Sequence, residues 1–141
     1  MAAAQEARCG GATVIVNASP ASDDRDELAA LAAACDVVVV NEDEAKRWQW
    51  PVAHLVVTRG AAGARYAGED GSYAVPAPAV EAVDTSGAGD VFAGVLAANW
   101  TAGREDALRR ACAAGALATL VSGAGDCAPL SAAIDDAVVS G

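Results

Sequence analysis

Three short β-branched apolar runs, each closed by polar residues, alternate with stretches whose apolar spacing turns helical. Thr13-Val-Ile-Val-Asn17 is the first run and reads as a buried strand. Ser22-Asp-Asp-Arg-Asp-Glu27 then opens a helix. Ser22 or Asp23 can cap it, and the acids suit the positive end of the helix dipole. Leu28, Leu31 and Ala32 recur at helical spacing. Asp36-Val-Val-Val-Val40 is apolar on both faces, which suits a central parallel strand. Asn41-Glu-Asp-Glu44 is a second capped helix start, with little room before Pro51. Residues 53–58 form a third strand, Arg59-Gly-Ala-Ala-Gly63 a turn, and 64–68 with 72–75 a hairpin around Glu69-Asp70-Gly71.

Beyond the loop from Pro76 to Pro78 the pattern is helical. From Asp90 to Ala102 the residues Phe92, Val95, Leu96 and Asn99 are spaced by three or four, and Gly103 stops the run. A second helix runs from about Arg104 to Val121, with Leu108, Cys112, Gly115 or Ala116, and Thr119 on its apolar face. A glycine-rich turn fills 122–128 and a last helix 130–139. Strands alternating with helices, then a hairpin, then helices, predict an α/β layered sheet. No internal repeat is present.

Composition narrows the class. The 141 residues are one domain by length, long enough to bury roughly two-thirds of the unfolded chain's surface. Apolar residues are 54% and aromatics only 4%, so the core is built from Ala, Val and Leu. Nine Lys plus Arg against nineteen Asp plus Glu give −10, a field that repels nucleic acid. No uncharged apolar run is long enough to span a membrane, and the first residues lack the basic-then-apolar order of a secretory leader. Cys9, Cys35, Cys112 and Cys127 are scattered and far from His54. They read as reduced cytoplasmic thiols serving as small core residues, with a structural zinc site the lesser alternative.

Gly87-Ala88-Gly89-Asp90 is the most informative segment. Glycines let the backbone approach a ligand, and the free amides of a first helical turn make an anion site. Asp90 in the same turn makes sense as a base that takes a hydroxyl proton while the amides hold the phosphoryl group under attack. The same spacing also serves an ordinary glycine-rich cap with a first-turn acid. A dinucleotide fingerprint fits poorly, because a loop precedes the glycines and Phe92 occupies the sixth position. No Walker P-loop is present. Asn41 and Glu44 taken alone are equally a helix cap with its capping-box acid, and Thr58-x-Gly60 taken alone is an ordinary strand exit.

Asp84-Thr-Ser-Gly-Ala-Gly-Asp-Val-Phe-Ala-Gly94 resembles the C-terminal signature of the ribokinase-like (PfkB) carbohydrate kinases. Asn41-Glu-Asp-Glu44 resembles their Asn-x-x-Glu element, Thr58-Arg-Gly-Ala-Ala-Gly63 their Thr-x-Gly-x-x-Gly turn, and Val14–Pro20 the strand and Asn-x-x-Pro turn before these. The implied fold is a ribokinase-like layered α/β/α arrangement, truncated, with a mostly parallel sheet, a β-hairpin at one side and C-terminal helices. The resemblance implies phosphoryl transfer from ATP, with Mg²⁺, to an alcohol of a sugar or nucleoside. Asp90 would be the catalytic base and Gly87, Ala88 and Gly89 the anion hole. Asn41, Glu44, Thr58, Gly60, Gly63 and Cys112 would serve ATP, with Glu44 reaching Mg²⁺ through water. Asp84 would lie by a monovalent cation such as K⁺, with the turn at Ser122–Gly125 offering carbonyls to that ion or to the adenine pocket. Members of the family are about twice as long, so the chain reads as their nucleotide-binding half, without the substrate and lid half. The family's long helix after the Asn-x-x-Glu element is reduced to Ala45–Val52, so Trp48 and Trp50 are expected to cover the sheet face there. Pairing with a second copy or a complementary polypeptide is expected, and a non-catalytic nucleotide- or partner-binding remnant is the alternative to an active enzyme.

Overall fold

Four consecutive valines organise the sheet. In the computed structural model, which describes residues 2–19 and 23–140, Val37 to Val40 are all at most 2% exposed. They lie in β2 (Val37–Asn41), which pairs in parallel with β1 (Ile15–Asn17) on one side and β3 (His54–Thr58) on the other. A parallel strand flanked on both edges buries both of its faces, which is why the run is apolar without alternation. The sheet continues through β4 (Ala64–Gly68) and β5 (Gly71–Val75) in the order β1-β2-β3-β4-β5. Two residues join β4 to β5 and five join β3 to β4, connections only antiparallel neighbours allow.

The chain falls into two compact units, the first running to Arg59 and taking in Arg65–Tyr73, the second comprising Gly60–Ala64 and the chain from Ala74 onward. In the first, Ala18, Cys35, Val38 and Val40 form a buried cluster on one sheet face. Leu31 of α2 (Arg25–Ala34), Ala45 of α3 (Glu42–Arg47), Leu55, Val57 and Trp48 pack against it. Trp48 therefore does cover this face where α3 is only six residues long, and its Nε1 donates to the Trp50 carbonyl at 2.9 Å. In the second unit α4 (Ala88–Asn99), α5 (Arg104–Ala118) and α6 (Ser131–Ser140) share a core of Ala113, Ala114 and Ile134, with Val91, Val95 and Leu117 against it.

Several boundaries differ from the sequence expectation. The cap of α2 is Asp24, whose Oδ1 accepts from the amides of Asp26 and Glu27; Ser22 lies outside the described residues, and Asp23 does not cap. The first strand begins only at Ile15 and Gly71 already belongs to β5. The first long helix stops at Asn99 rather than Ala102, and α5 at Ala118 rather than Val121. Its burial is also broader than one stripe: Ala107, Ala111, Ala113, Ala114 and Ala118 are buried along with Leu108 and Cys112. Small alanines allow close approach on several sides, so the helix carries no simple apolar face. An unforeseen helix, α1 (Ala2–Cys9), precedes the sheet; its Arg8 donates to the Ala33 carbonyl at 2.8 Å and pairs with Asp36. No helix among the described residues is long and apolar enough to cross a membrane. All four cysteines are free, with Cys9 exposed and the other three buried.

Candidate active site

Parallel strands place their carboxyl ends on one edge, the usual place for ligands in α/β sheets. In the first unit that edge holds Asn41 and Thr58, which are register partners on β2 and β3. Asn41 caps α3: its Oδ1 accepts from the amides of Asp43 (3.0 Å) and Glu44 (2.9 Å). Glu44 completes the capping box by accepting the Asn41 amide on Oε2 at 2.8 Å. Its other oxygen accepts from the Ser19 hydroxyl at 2.9 Å, and the same hydroxyl accepts from Asn41 Nδ2 at 3.1 Å. Glu44 is thus only 6% exposed and held from both sides. Thr58 Oγ1 donates back to the Val40 carbonyl at 3.3 Å. Ser19 is the member that sequence reasoning missed. Its signal was available, because a polar residue leaving a parallel strand lands beside the polar exit of the next one.

No group of three or more acid, His or Cys side chains suited to a metal occurs among the described residues. A single buried carboxylate whose oxygens already accept hydrogen bonds cannot cage a bare ion. The donor set fits Mg²⁺ only as an ion that keeps its waters and arrives with phosphates.

In the second unit, Gly60 and Gly63 bound a single 3₁₀ turn, with φ of +55° and +87°. Gly63 leaves no room for a side chain: a Cβ there would overlap the Val75 carbonyl oxygen and lie 2.7 Å from the Ala77 amide nitrogen. Cys112 of α5 approaches the same Val75 carbonyl, at 3.9 Å, and burial pushes its thiol up to about 12. It is a protonated packing thiol at neutral pH.

The 84–90 segment opens α4. Gly87 is the N-cap, in the left-handed region at φ +77°, and offers no side-chain cap. The Ala88 amide reaches the Thr85 carbonyl at a long 3.3 Å, whereas those of Gly87, Gly89 and Asp90 have no partner among the described residues. Gly89 and Asp90 are exposed, and the Asp90 carboxylate likewise has no partner among the described residues. Unsatisfied first-turn amides of this kind can take up an anion, and the carboxylate beside them could accept a proton.

Asp84 is fastened differently. Its Oδ1 accepts the Ser86 amide at 2.9 Å and its Oδ2 the Gly123 amide at 2.8 Å. These backbone donors, first Ser86 and then Gly123, hold its carboxyl below the usual carboxylate range. A depressed folded pKa means stabilisation that is present above the unfolded value of about 3.9 and lost as pH falls through the folded value. Wild type is therefore expected to lose thermal stability below about pH 4 more steeply than Asp84→Asn, which lacks this titration. Melting curves of both proteins between pH 6 and 2.5 check this; parallel pH profiles would contradict it.

The structure thus gathers Asn41, Glu44 and Thr58 in the first unit. In the second it gathers Asp84, Gly87, Ala88, Gly89 and Asp90 with the 122–127 turn, while Gly63 and Cys112 flank the Val75 carbonyl.

Several solved kinase structures are similar to this chain. A Burkholderia thailandensis nucleoside kinase in complex with inosine is 28% identical at a TM-score of 0.83, covering 97% of this chain and 50% of that one. Vibrio cholerae O395 fructokinase, bound to fructose, ADP and calcium, is 28% identical at 0.83, covering 97% and 54%. Salmonella enterica aminoimidazole riboside kinase, bound to aminoimidazole riboside and an ATP analogue, is 25% identical at 0.81, covering 96% and 55%. The chain spans about half the length of these kinases. A comparison with curated proteins returns no match. The model of the pfkB family carbohydrate kinases matches residues 1–131, which takes in both the strand-end cluster and the turn that opens α4. With the fold and this match in agreement, the chain belongs to the pfkB family of carbohydrate kinases.

Proposed function

We propose that the chain is the ATP-binding, catalytic-base half of a kinase that phosphorylates a hydroxyl of a sugar or nucleoside. The observation that carries this reading is the opening of α4, where unpartnered amides and the exposed carboxylate of Asp90 share one turn. The Gly87 and Gly89 amides bind the γ-phosphoryl oxygens, and Ala88 joins them by giving up its long bond to Thr85. Asp90 accepts the proton of the acceptor hydroxyl as that oxygen forms its bond to γ-phosphorus and the bond to the bridging oxygen of ADP breaks. Asn41, Glu44, Thr58, Gly60 and Gly63 serve the ATP phosphates. Glu44 would hold Mg²⁺ through water and Asp84 would serve a monovalent cation, with Cys112 on the adenine side. Mg²⁺ supplies charge neutralisation along the phosphates.

Support for the acceptor class comes from the bound fructose, inosine and aminoimidazole riboside of the similar kinases. A second reading takes the chain as a nucleotide- or partner-binding remnant, in which the capping box and the Ser19 hydroxyl that already occupy both Glu44 oxygens are purely structural. Calorimetric titration separates the two. Mg·ATP binding that tightens or weakens when fructose or inosine is present is the result expected of a kinase. Mg·ATP binding indifferent to either acceptor favours the remnant, and no Mg·ATP binding overturns both nucleotide readings.

A further inference from the structure

We infer that Asp84 and Cys127 form one clamp that positions the turn opening α4, so that both are positioning residues for phosphate binding; the inference rests on reading that turn as the phosphate site. The turn does not hold itself in place. Its N-cap has no side chain, its φ is left-handed, and its first amide bond is long. What fixes it is a segment more than thirty residues later, brought alongside because α5 runs back against α4. The two helices lie close there: a Cβ on Gly115 would make ordinary contact, 3.4 Å from the Ala88 carbonyl and 3.5 Å from Phe92 Cβ.

Two side-chain fastenings then join the segments. The Asp84 carboxylate spans them, with one oxygen on the Ser86 amide and the other on the Gly123 amide. The Cys127 thiol also lies against these residues. Its Sγ is 3.5 Å from the Ala124 carbonyl and 3.9 Å from the Ser86 carbonyl, and a Cβ on Gly87 would stand 3.1 Å from it. Cys127 is 3% exposed. The backbone adds a hinge line, with the Val83 and Asp84 amides both donating to the Thr119 carbonyl at 2.8 and 3.0 Å. Ser86 is therefore held by its amide through Asp84, its carbonyl lies 3.9 Å from the Cys127 Sγ, whose one proton has the Ala124 carbonyl nearer at 3.5 Å, and Gly87 rests on Ala124 and Cys127. Loosening either fastening frees the same turn, so the two act on one coordinate.

A double-mutant cycle tests this with two readouts. Asp84→Asn sets an amide donor against one of the two backbone donors, and Cys127→Val adds a methyl against Gly87 and removes the thiol donor. The first readout is hydrogen exchange of the Val91 amide, which bonds the Gly87 carbonyl at 3.0 Å, compared with amides at mid-helix around Leu96. The second is Mg·ATP affinity by calorimetry. Each single variant is expected to speed Val91 exchange about tenfold, with Leu96 unchanged, and to weaken Mg·ATP about tenfold. The double variant is expected to be no worse than the stronger single, and Cys127→Ala, which removes the thiol without adding bulk against Gly87, to speed Val91 exchange in the same direction as Cys127→Val. Multiplicative effects in the double variant, or equal acceleration at Val91 and Leu96, would overturn the clamp. If Cys127→Val does not fold, the cycle of Asp84→Asn with Cys127→Ala still decides it through the Val91 readout. If wild type does not bind Mg·ATP, the phosphate reading fails, while the exchange arm continues to judge the clamp.

Discussion

Asp90→Asn is expected to lower the turnover of phosphoryl transfer to a sugar or nucleoside hydroxyl by about 10²- to 10⁴-fold, the usual contribution of a general base. Asn keeps the shape of the side chain and cannot take a proton. The affinity for Mg·ATP should change much less, because the amides proposed to hold the phosphate come from the backbone and survive the substitution. Removing one negative charge beside the phosphates should if anything tighten nucleotide binding. Steady-state rates and nucleotide titration of the two proteins, with fructose and inosine as trial acceptors, check this split. A variant that turns over as fast as wild type would remove Asp90 from the chemistry. Equal loss of nucleotide binding and rate would point to a structural acid instead.

The largest effect on stability is expected at Gly63. Its φ of +87° alone costs a non-glycine residue about 1–2 kcal/mol. The added Cβ also meets backbone, the Val75 carbonyl and the Ala77 amide, which cannot swing aside as a side-chain tip would. Gly63→Ala is expected to cost about 3 kcal/mol or more, a fall of roughly 10 °C in melting temperature for a chain of this size. Gly60→Ala is the matched control. Its φ is +55° and a Cβ there meets nothing within 4 Å, so only the backbone cost of about 1–2 kcal/mol applies. Thermal melts of the two variants measure the difference. Equal melting temperatures would show that the turn yields where the packing argument says it cannot.

Local order was legible in the residues themselves. Val37 to Val40 announce a strand buried on both faces, because a β-branched run without alternation suits a central parallel strand. Asn41 and Glu44 spell a capping box, and the structure forms both of its hydrogen bonds. That pair shows how a structural and a functional reading share the same atoms, since the box occupies the carboxylate oxygens the nucleotide reading assigns to Mg²⁺ through water. The 84–94 segment carried the family because both acids and all the glycines keep their spacing. Contacts between distant segments were not legible. Gly123 on Asp84 and Cys127 under Gly87 arise from the reversal of α5 against α4, which no local pattern encodes. Cys127 looked like one more small core thiol. The α2 cap moved to Asp24 because Ser22, Asp23 and Asp24 are nearly equivalent in capping chemistry, and tertiary placement of Leu28 selects among them. Helix α1 was overlooked, although Ala2 to Arg8 are nearly all strong helix formers.

The most direct test of the central claim is an amide-resolved titration of the ¹⁵N-labelled chain with Mg·ATP, followed by magnetic resonance. The amides of Gly87, Gly89 and Asp90 are predicted to move most, saturably, and to move again when Mg·ADP replaces Mg·ATP. Saturable shifts elsewhere with these three resonances stationary would contradict the account, because phosphate would then bind away from the turn that opens α4.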